Sequence, residues 1–415
     1  MFQADAKRIE THLRRLNEYN STPEFGTTRV LFTEPELEGR SYIIGLMKEL
    51  GLEVTQDNIG NIFGVLKGTD SALAPVWTGS HCDTVLNAGM FDGMAGVIGG
   101  IEALRQIKES GLEHKRDIAV VMYTSEEPTR FGLSCLGSRA LCGKLTAKDA
   151  KELFDKDGKT LWQVLKDLGC DADNIGQVQK KKGDVFAAVE LHIEQSSSLE
   201  KAGKTIGAVK TICAPANYEI TIKGVQSHAG GTSMADRRDA FTAGCALALE
   251  LERLARQSSA EYVTATVGRV NVVPGAVNVI PGEVQMSVDI RYTDIEALDE
   301  IMYSINEAIA RTEKERGVSV TVNCLNRDIP AHCDKGIISS IKANCERYGY
   351  SYKDCISGAY HDSLMVNAFA PVAMIFVPSR NGISHSPEEW TDFEDIAKGT
   401  NILAEVLLET ANGEA

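Results

Sequence analysis

Four short apolar runs, each followed by a histidine or a pair of carboxylates, constrain this chain more than any other feature. Residues 74–78, 118–123, 185–191 and 372–378 are of strand length and rich in Val, Ile, Ala and aromatic residues. Helical patterns such as 94–107 separate them. A strand that is apolar on both faces needs helices covering each face, so the runs predict an α/β fold with a mainly parallel sheet. Ligands of such sheets collect at the carboxyl ends of the strands. Here those ends carry His81, Glu126 with Glu127, His192 and His385, so one crevice is expected to receive all five.

The rest of the chain has a different texture in its middle. Thr33-Glu34-Pro35-Glu36 has the form of a capping box with Pro just inside a helix, and Gly51 is placed to end that helix. Between 207 and 322 the pattern becomes an alternating strand (Tyr218, Ile220, Ile222), a helix over 238–256, strands over 263–273 and 283–292, and a second helix. This is the β-α-β-β-α-β order of ferredoxin-like units. A chain of 415 residues exceeds what one hydrophobic core usually serves. The expected organisation is therefore a catalytic α/β domain over 1–208 and 329–415, interrupted by an inserted α+β domain over 209–328.

Composition narrows the function. The 43 Lys and Arg against 58 Asp and Glu give a net charge of −15, and no basic run extends beyond Lys180 to Lys182. A protein that neutralises phosphates needs a basic stripe, so nucleic acid is excluded as the main partner. No stretch approaches the roughly 18 apolar residues of a membrane span. The ten cysteines form no C-x-x-C pair, which reads as reduced thiols in a cytoplasmic protein.

Five of the eight histidines stand in short polar segments: His81, His192, His228, His361 and His385. Asp83 lies two residues beyond His81, and a carboxylate beside a metal-bound imidazole fixes its tautomer. Asp92, in a glycine-rich turn before a helix, can bridge two cations. Of the adjacent Glu126 and Glu127, one can bind a cation. The other, desolvated beside like charge, can act as a base toward water. Three imidazoles and two or three carboxylates are too many for one tetrahedral ion and suit a pair of Zn²⁺ or Mn²⁺ ions.

Six ordered segments carry a resemblance: Gly79-Ser80-His81 with Asp83-Thr84-Val85; Asp92-Gly93; Glu126-Glu127 with Arg130-Phe131; Glu190 to Gln195; Ser227-His228-Ala229-Gly230; and Gly382 to His385. Over essentially its whole length the chain resembles the dimetal amidohydrolases that include allantoate amidohydrolase, N-carbamoyl-L-amino acid hydrolase and ureidoglycolate amidohydrolase. These are relatives of the aminoacylase and carboxypeptidase-type metallopeptidases. The resemblance implies two divalent metal ions, one on His81, Asp92 and His192 and the other on Asp92, Glu127 and His385, with Glu126 as general base. It implies a homodimer formed through the insert, which also serves as a lid. The partner's copy of His228 would steady the oxyanion, and Gln195, Asn278 and Arg291 would contact a small anionic substrate. Arg291 suits a carboxylate independently, being planar and bidentate, and a salt bridge within the insert is its alternative.

Within the family, Pro128 and the segment Ala359-Tyr360-His361-Asp362 look like ureidoglycolate amidohydrolase, with Tyr360 and His361 expected at the substrate. The segment Ser227 to Met234 is closer to the allantoate and carbamoylase form. The expected reaction is hydrolysis of a ureido C–N bond with release of ammonia and CO₂, most simply turning ureidoglycolate into glyoxylate. An allantoate or N-carbamoyl-amino acid substrate is the alternative. Beyond these stand an N-acyl amino acid or dipeptide hydrolase and a catalytically silent metal-binding relative.

Overall fold

The computed structural model describes residues 1–413. The described residues divide into two compact units, one of 1–210, 332–357 and 361–413, the other of 211–331 and 358–360. The expected limits of 208 and 329 stand beside these, and the short segment 358–360 falls with the second unit rather than the first. Residues 414 and 415 lie outside the described residues.

The first unit is built on a sheet of nine strands among the described residues. Its centre is four parallel strands in the order Ile118–Tyr123, Val76–His81, Ala187–Ile193 and Val372–Val377. The flanks are antiparallel: Ile62–Leu66 pairs with Ile118–Tyr123 on one side and Ile206–Ile212 with Val372–Val377 on the other. All residues of the four central strands are buried, which is why their sequences run apolar without alternation. Helices Met94–Ser110 and Phe393–Asn412 pack on this sheet and on each other. Two of the predicted runs start too early. Residues 74–75 and 185–186 precede their strands, so both strands reach two or three residues further, and His81 and His192 lie inside the ladder rather than after it.

The predicted capping box at Thr33 does not form. Thr33 holds the N-cap position of Glu34–Glu49 without a side-chain cap, and its hydroxyl donates to the Val30 carbonyl. Glu36 accepts from the Phe32 N–H instead and pairs with the buried Arg40 at 3.0 Å. An arginine one turn further along outcompetes the backbone N–H of Thr33 for that carboxylate.

The second unit is a four-stranded antiparallel sheet in the order Ser319–Arg327, Ala214–Lys223, Glu283–Tyr292, Val263–Val273, with helices Ala240–Gln257 and Ile295–Arg316. Asp239 caps the first helix by accepting from Phe241 and Thr242 N–H, which moves its start two residues beyond the predicted 238. Ile220, Ile222, Leu247, Val284, Ile290, Leu298 and Ile305 fill the layer between sheet and helices. Each such side chain contributes about 1.5–3 kcal/mol by leaving water. This unit therefore has a core of its own.

Candidate metal centre

The four parallel strands of the first unit end on one edge, and that edge carries the cluster. His81 closes its strand, and its Nδ1 donates to the Asp83 main-chain carbonyl at 2.9 Å. His192 does the same toward the Ile193 carbonyl at 2.9 Å. A carbonyl only accepts, so each neutral ring keeps its proton on Nδ1 and turns a bare Nε2 outward. Both bare nitrogens face Asp92, whose Oδ1 lies 3.3 Å from His192 and 3.7 Å from His81. Asp92 Oδ2 lies 3.0 Å from His385 Nε2, which is in turn 3.4 Å from Glu127 Oε1.

Lone pairs that face one another need a positive charge between them. His81, Asp92 and His192 hold ligand atoms within 4.8 Å of one another, and so do Asp92, Glu127 and His385. Asp92 belongs to both groups. The donor set is nitrogen and oxygen, the kind that takes Zn²⁺ or Mn²⁺, so the residues fit the implied metals. Without a cation, protons take their place: Asp92 and Glu127 push His385 up to about 9. Burial and the Asp92 charge push Glu127 up to about 7.

Glu126 stands apart from both groups. It is buried, with Oε2 4.0 Å from His81 Nε2, and burial together with Glu127 holds its carboxyl well above the usual range. The carboxylate of Asp83 accepts the N–H of Glu126 at 3.2 Å and of Glu127 at 3.1 Å. This corrects the expected role of Asp83: its main-chain oxygen orients His81, while its side chain is 3.7 Å from the ring and pins the Glu126-Glu127 turn.

Backbone strain gathers here. Ser125, Cys135, Gln195 and His385 have φ of 57°, 58°, 55° and 55°, left-handed values that cost a non-glycine residue about 1–3 kcal/mol each. Gly93, at φ 70°, is required: a Cβ there would lie 2.5 Å from His81 Cε1.

The remaining residues are dispersed. Gln195 Nε2 donates to Asp92 Oδ2 at 2.8 Å. His361 is buried with its ring 4.5 Å from that of His192 and its Nε2 2.9 Å from Ser357 Oγ, and with Glu190 and His192 it makes a third group able to hold a cation. In the second unit, Arg291 makes the bidentate pair with Asp289 that was its alternative, at 2.8 and 3.1 Å. The Tyr360 hydroxyl donates to Asp328 at 2.9 Å. His228 is exposed on a two-stranded ribbon beside Val279, and Asn278 adjoins it through the Ala229 N–H. The His228 Nδ1 accepts from Gly230 and Gly231 N–H, both at 3.0 Å, so its neutral ring presents Nε2–H outward as a donor. Two residues not singled out from the sequence, Ser384 and Glu389, also reach the cluster. The available signal was their fixed offset from His385 in Ser384-His385-Ser386-Pro387-Glu388-Glu389.

A parallel sheet whose strand ends offer two metal-ligand groups sharing one aspartate, with a buried glutamate beside them, defines a metal-dependent hydrolase. The chain belongs to peptidase family M20/M25/M40, which matches residues 77–409. It is 38% identical over 97% of its length to a ureidoglycolate hydrolase of Oryza sativa subsp. japonica, of which 84% is covered. It is 36% identical over 98% of its length to an N-carbamoyl-L-amino acid amidohydrolase of Geobacillus stearothermophilus, of which 99% is covered. The crystal structure of AtUAH in complex with glyoxylate superposes with a TM-score of 0.87 at 36% identity, covering 99% of this chain and 98% of that one.

Proposed function

We propose that this enzyme hydrolyses the ureido C–N bond of a small ureido acid, ureidoglycolate first, and releases ammonia and CO₂. The observation that carries the reading is the buried Glu126, adjacent to both ligand groups and a member of neither. The rice relative is named for ureidoglycolate, and glyoxylate, the product expected here, occupies AtUAH.

Two divalent ions, Zn²⁺ or Mn²⁺, held by His81, Asp92 and His192 and by Asp92, Glu127 and His385, would supply Lewis acidity and make water a stronger acid. Glu126 takes the proton of the attacking water, which adds to the carbamoyl carbon, and returns it to the terminal nitrogen. Ammonia leaves, and the remaining N-carboxylate loses CO₂. From ureidoglycolate the product is hydroxyglycine, which eliminates a second ammonia to give glyoxylate. The Nε2–H of His228, contributed by the partner subunit, steadies the oxyanion. Gln195, Asn278, Arg291 and Tyr360 would contact the substrate, as the resemblance implies, while His361 supports His192.

The dimer is formed through the second unit. Strand Val263–Val273 is the edge of its sheet, and Val270 and, on the neighbouring helix, Leu249 are exposed. An unpaired edge beside exposed apolar residues is a surface that a second copy can cover. The ten free thiols and the charge of −15 support a reducing, cytoplasmic setting with no nucleic-acid partner. Among the described residues no helix is long and apolar enough to cross a membrane.

Ammonia release from ureidoglycolate, allantoate, N-carbamoyl-amino acids and, by amine release, N-acetyl-amino acids tests the reading with Mn²⁺ or Zn²⁺ added. Ureidoglycolate is expected to have the highest kcat/KM. Preference for an N-acetyl substrate would replace the proposal with an acylase.

A further inference from the structure

Glu389 lies four residues beyond His385, is buried, and has no place in either ligand group. Its Oε1 accepts the N–H of Phe91 at 3.0 Å and of Asp92 at 3.1 Å. Its Oε2 accepts the Ser384 hydroxyl at 2.7 Å. Ser384 has one proton to give, and the next acceptor, Asp92 Oδ2, is at 3.4 Å, so the proton points to Glu389. The Ser384 oxygen is then an acceptor, and Gln195 Nε2 donates to it at 3.3 Å as well as to Asp92 at 2.8 Å. With its amide nitrogen directed to these two acceptors, Gln195 presents its carbonyl oxygen on the other side. That atom is buried and has no hydrogen-bond partner among the described residues.

We propose that Glu389 is a positioning residue which, through Ser384, sets the Gln195 amide so that its carbonyl receives an N–H of the substrate's terminal carbamoyl group. The relay runs in one direction, Gln195 N–H to Ser384 O–H to the Glu389 carboxylate, because a carboxylate at its end can only accept. A ureido substrate fills the orphaned acceptor. An N-acetyl substrate places a methyl group there and leaves it unpaired, and sites built to pair a polar group reject analogues that lack it. The inference rests on the ureido reading and adds the residue that enforces it.

Two variants separate this role from a merely structural one. Glu389→Gln keeps an oxygen for the Phe91 and Asp92 N–H groups but puts an N–H donor toward Ser384, which reverses the relay. Ser384→Ala cuts it without touching the loop. In the metal-loaded enzyme, both are expected to lower kcat/KM for ureidoglycolate about 10- to 100-fold, and to lower its ratio to N-acetylglycine by a similar factor. Metal content per chain, read by elemental analysis, is expected to stay at the wild-type value. Equal losses on both substrates, or metal loss that accounts for the drop, would overturn the relay. A wild-type enzyme that leaves every ureido acid intact would overturn the ureido reading itself and the relay with it, whereas an active wild type with unchanged selectivity in both variants sinks the relay alone.

Discussion

Residue by residue, the chemistry was most legible where a side chain acts in its own name. Of the adjacent carboxylates, Glu127 lies within reach of His385 and Glu126 is set against His81. Replacing Glu126 by Gln is expected to leave metal content unchanged and to lower kcat about 10²- to 10⁴-fold. A loss of metal on that substitution, measured by elemental analysis, would make Glu126 a ligand instead. Asp83 and Glu389 were harder to read because they act on backbone N–H groups far along the chain, which no side-chain pattern announces. Arg291 and Tyr360 show the opposite difficulty. Their suitability for an anion or a small ligand was legible, but not that Asp289 and Asp328 already engage them. If Tyr360 limits substrate size, Tyr360→Gly should raise kcat/KM for allantoate while lowering it for ureidoglycolate. Loss on both substrates would show that the tyrosine serves only Asp328.

At the level of elements, strand identity followed from apolar runs, while strand ends did not. The ladder extends to His81 and Ile193 because neighbouring strands supply partners there, and polar residues at a strand's end satisfy the backbone as well as valines do. The antiparallel flanks of the sheet also escaped the apolar-run argument, since strand direction is set by connections rather than by composition. The turn before Met94–Ser110 is where backbone geometry and ligand geometry meet. Gly93→Ala combines a strained φ of 70° with a Cβ 2.5 Å from His81, so the imidazole must move. Metal affinity is expected to fall about 10- to 100-fold, read by calorimetric titration of the metal-free protein. Unchanged affinity would mean that the turn relaxes without disturbing His81.

For the whole molecule, the charge of −15 takes on a local meaning. Several carboxylates gather at one sheet edge, where bound cations would offset them and leave room for a small anion in an acidic protein. Chelation is expected to abolish activity and to lower Tm, with both restored by Mn²⁺ or Zn²⁺, because a ligand of the native state stabilises it by mass action. An unchanged Tm would place the cations outside the folded core. Sites shared between subunits would show as complementation. Glu126→Gln and His228→Ala homodimers are each expected to be nearly inactive, and co-refolded mixtures should regain activity from the one intact site in each heterodimer. No recovery would confine His228 to its own subunit.

The ligands are drawn from strand ends spread between His81 and His385, and their sheet neighbours are not their sequence neighbours. Such long-range closure is slow, because loop entropy is spent before any contact repays it. Cation binding at these residues therefore cannot nucleate this fold. During synthesis the first half of the chain emerges with His81, Asp92 and Glu127 but without His385, and the second ligand group stays incomplete until the segment carrying it has joined the sheet. Filling of the second group, unlike that of His81, Asp92 and His192, which all lie in the first half, thus reports that the segment carrying His385 is in place, so release of that cation and the onset of unfolding should be hard to separate in time.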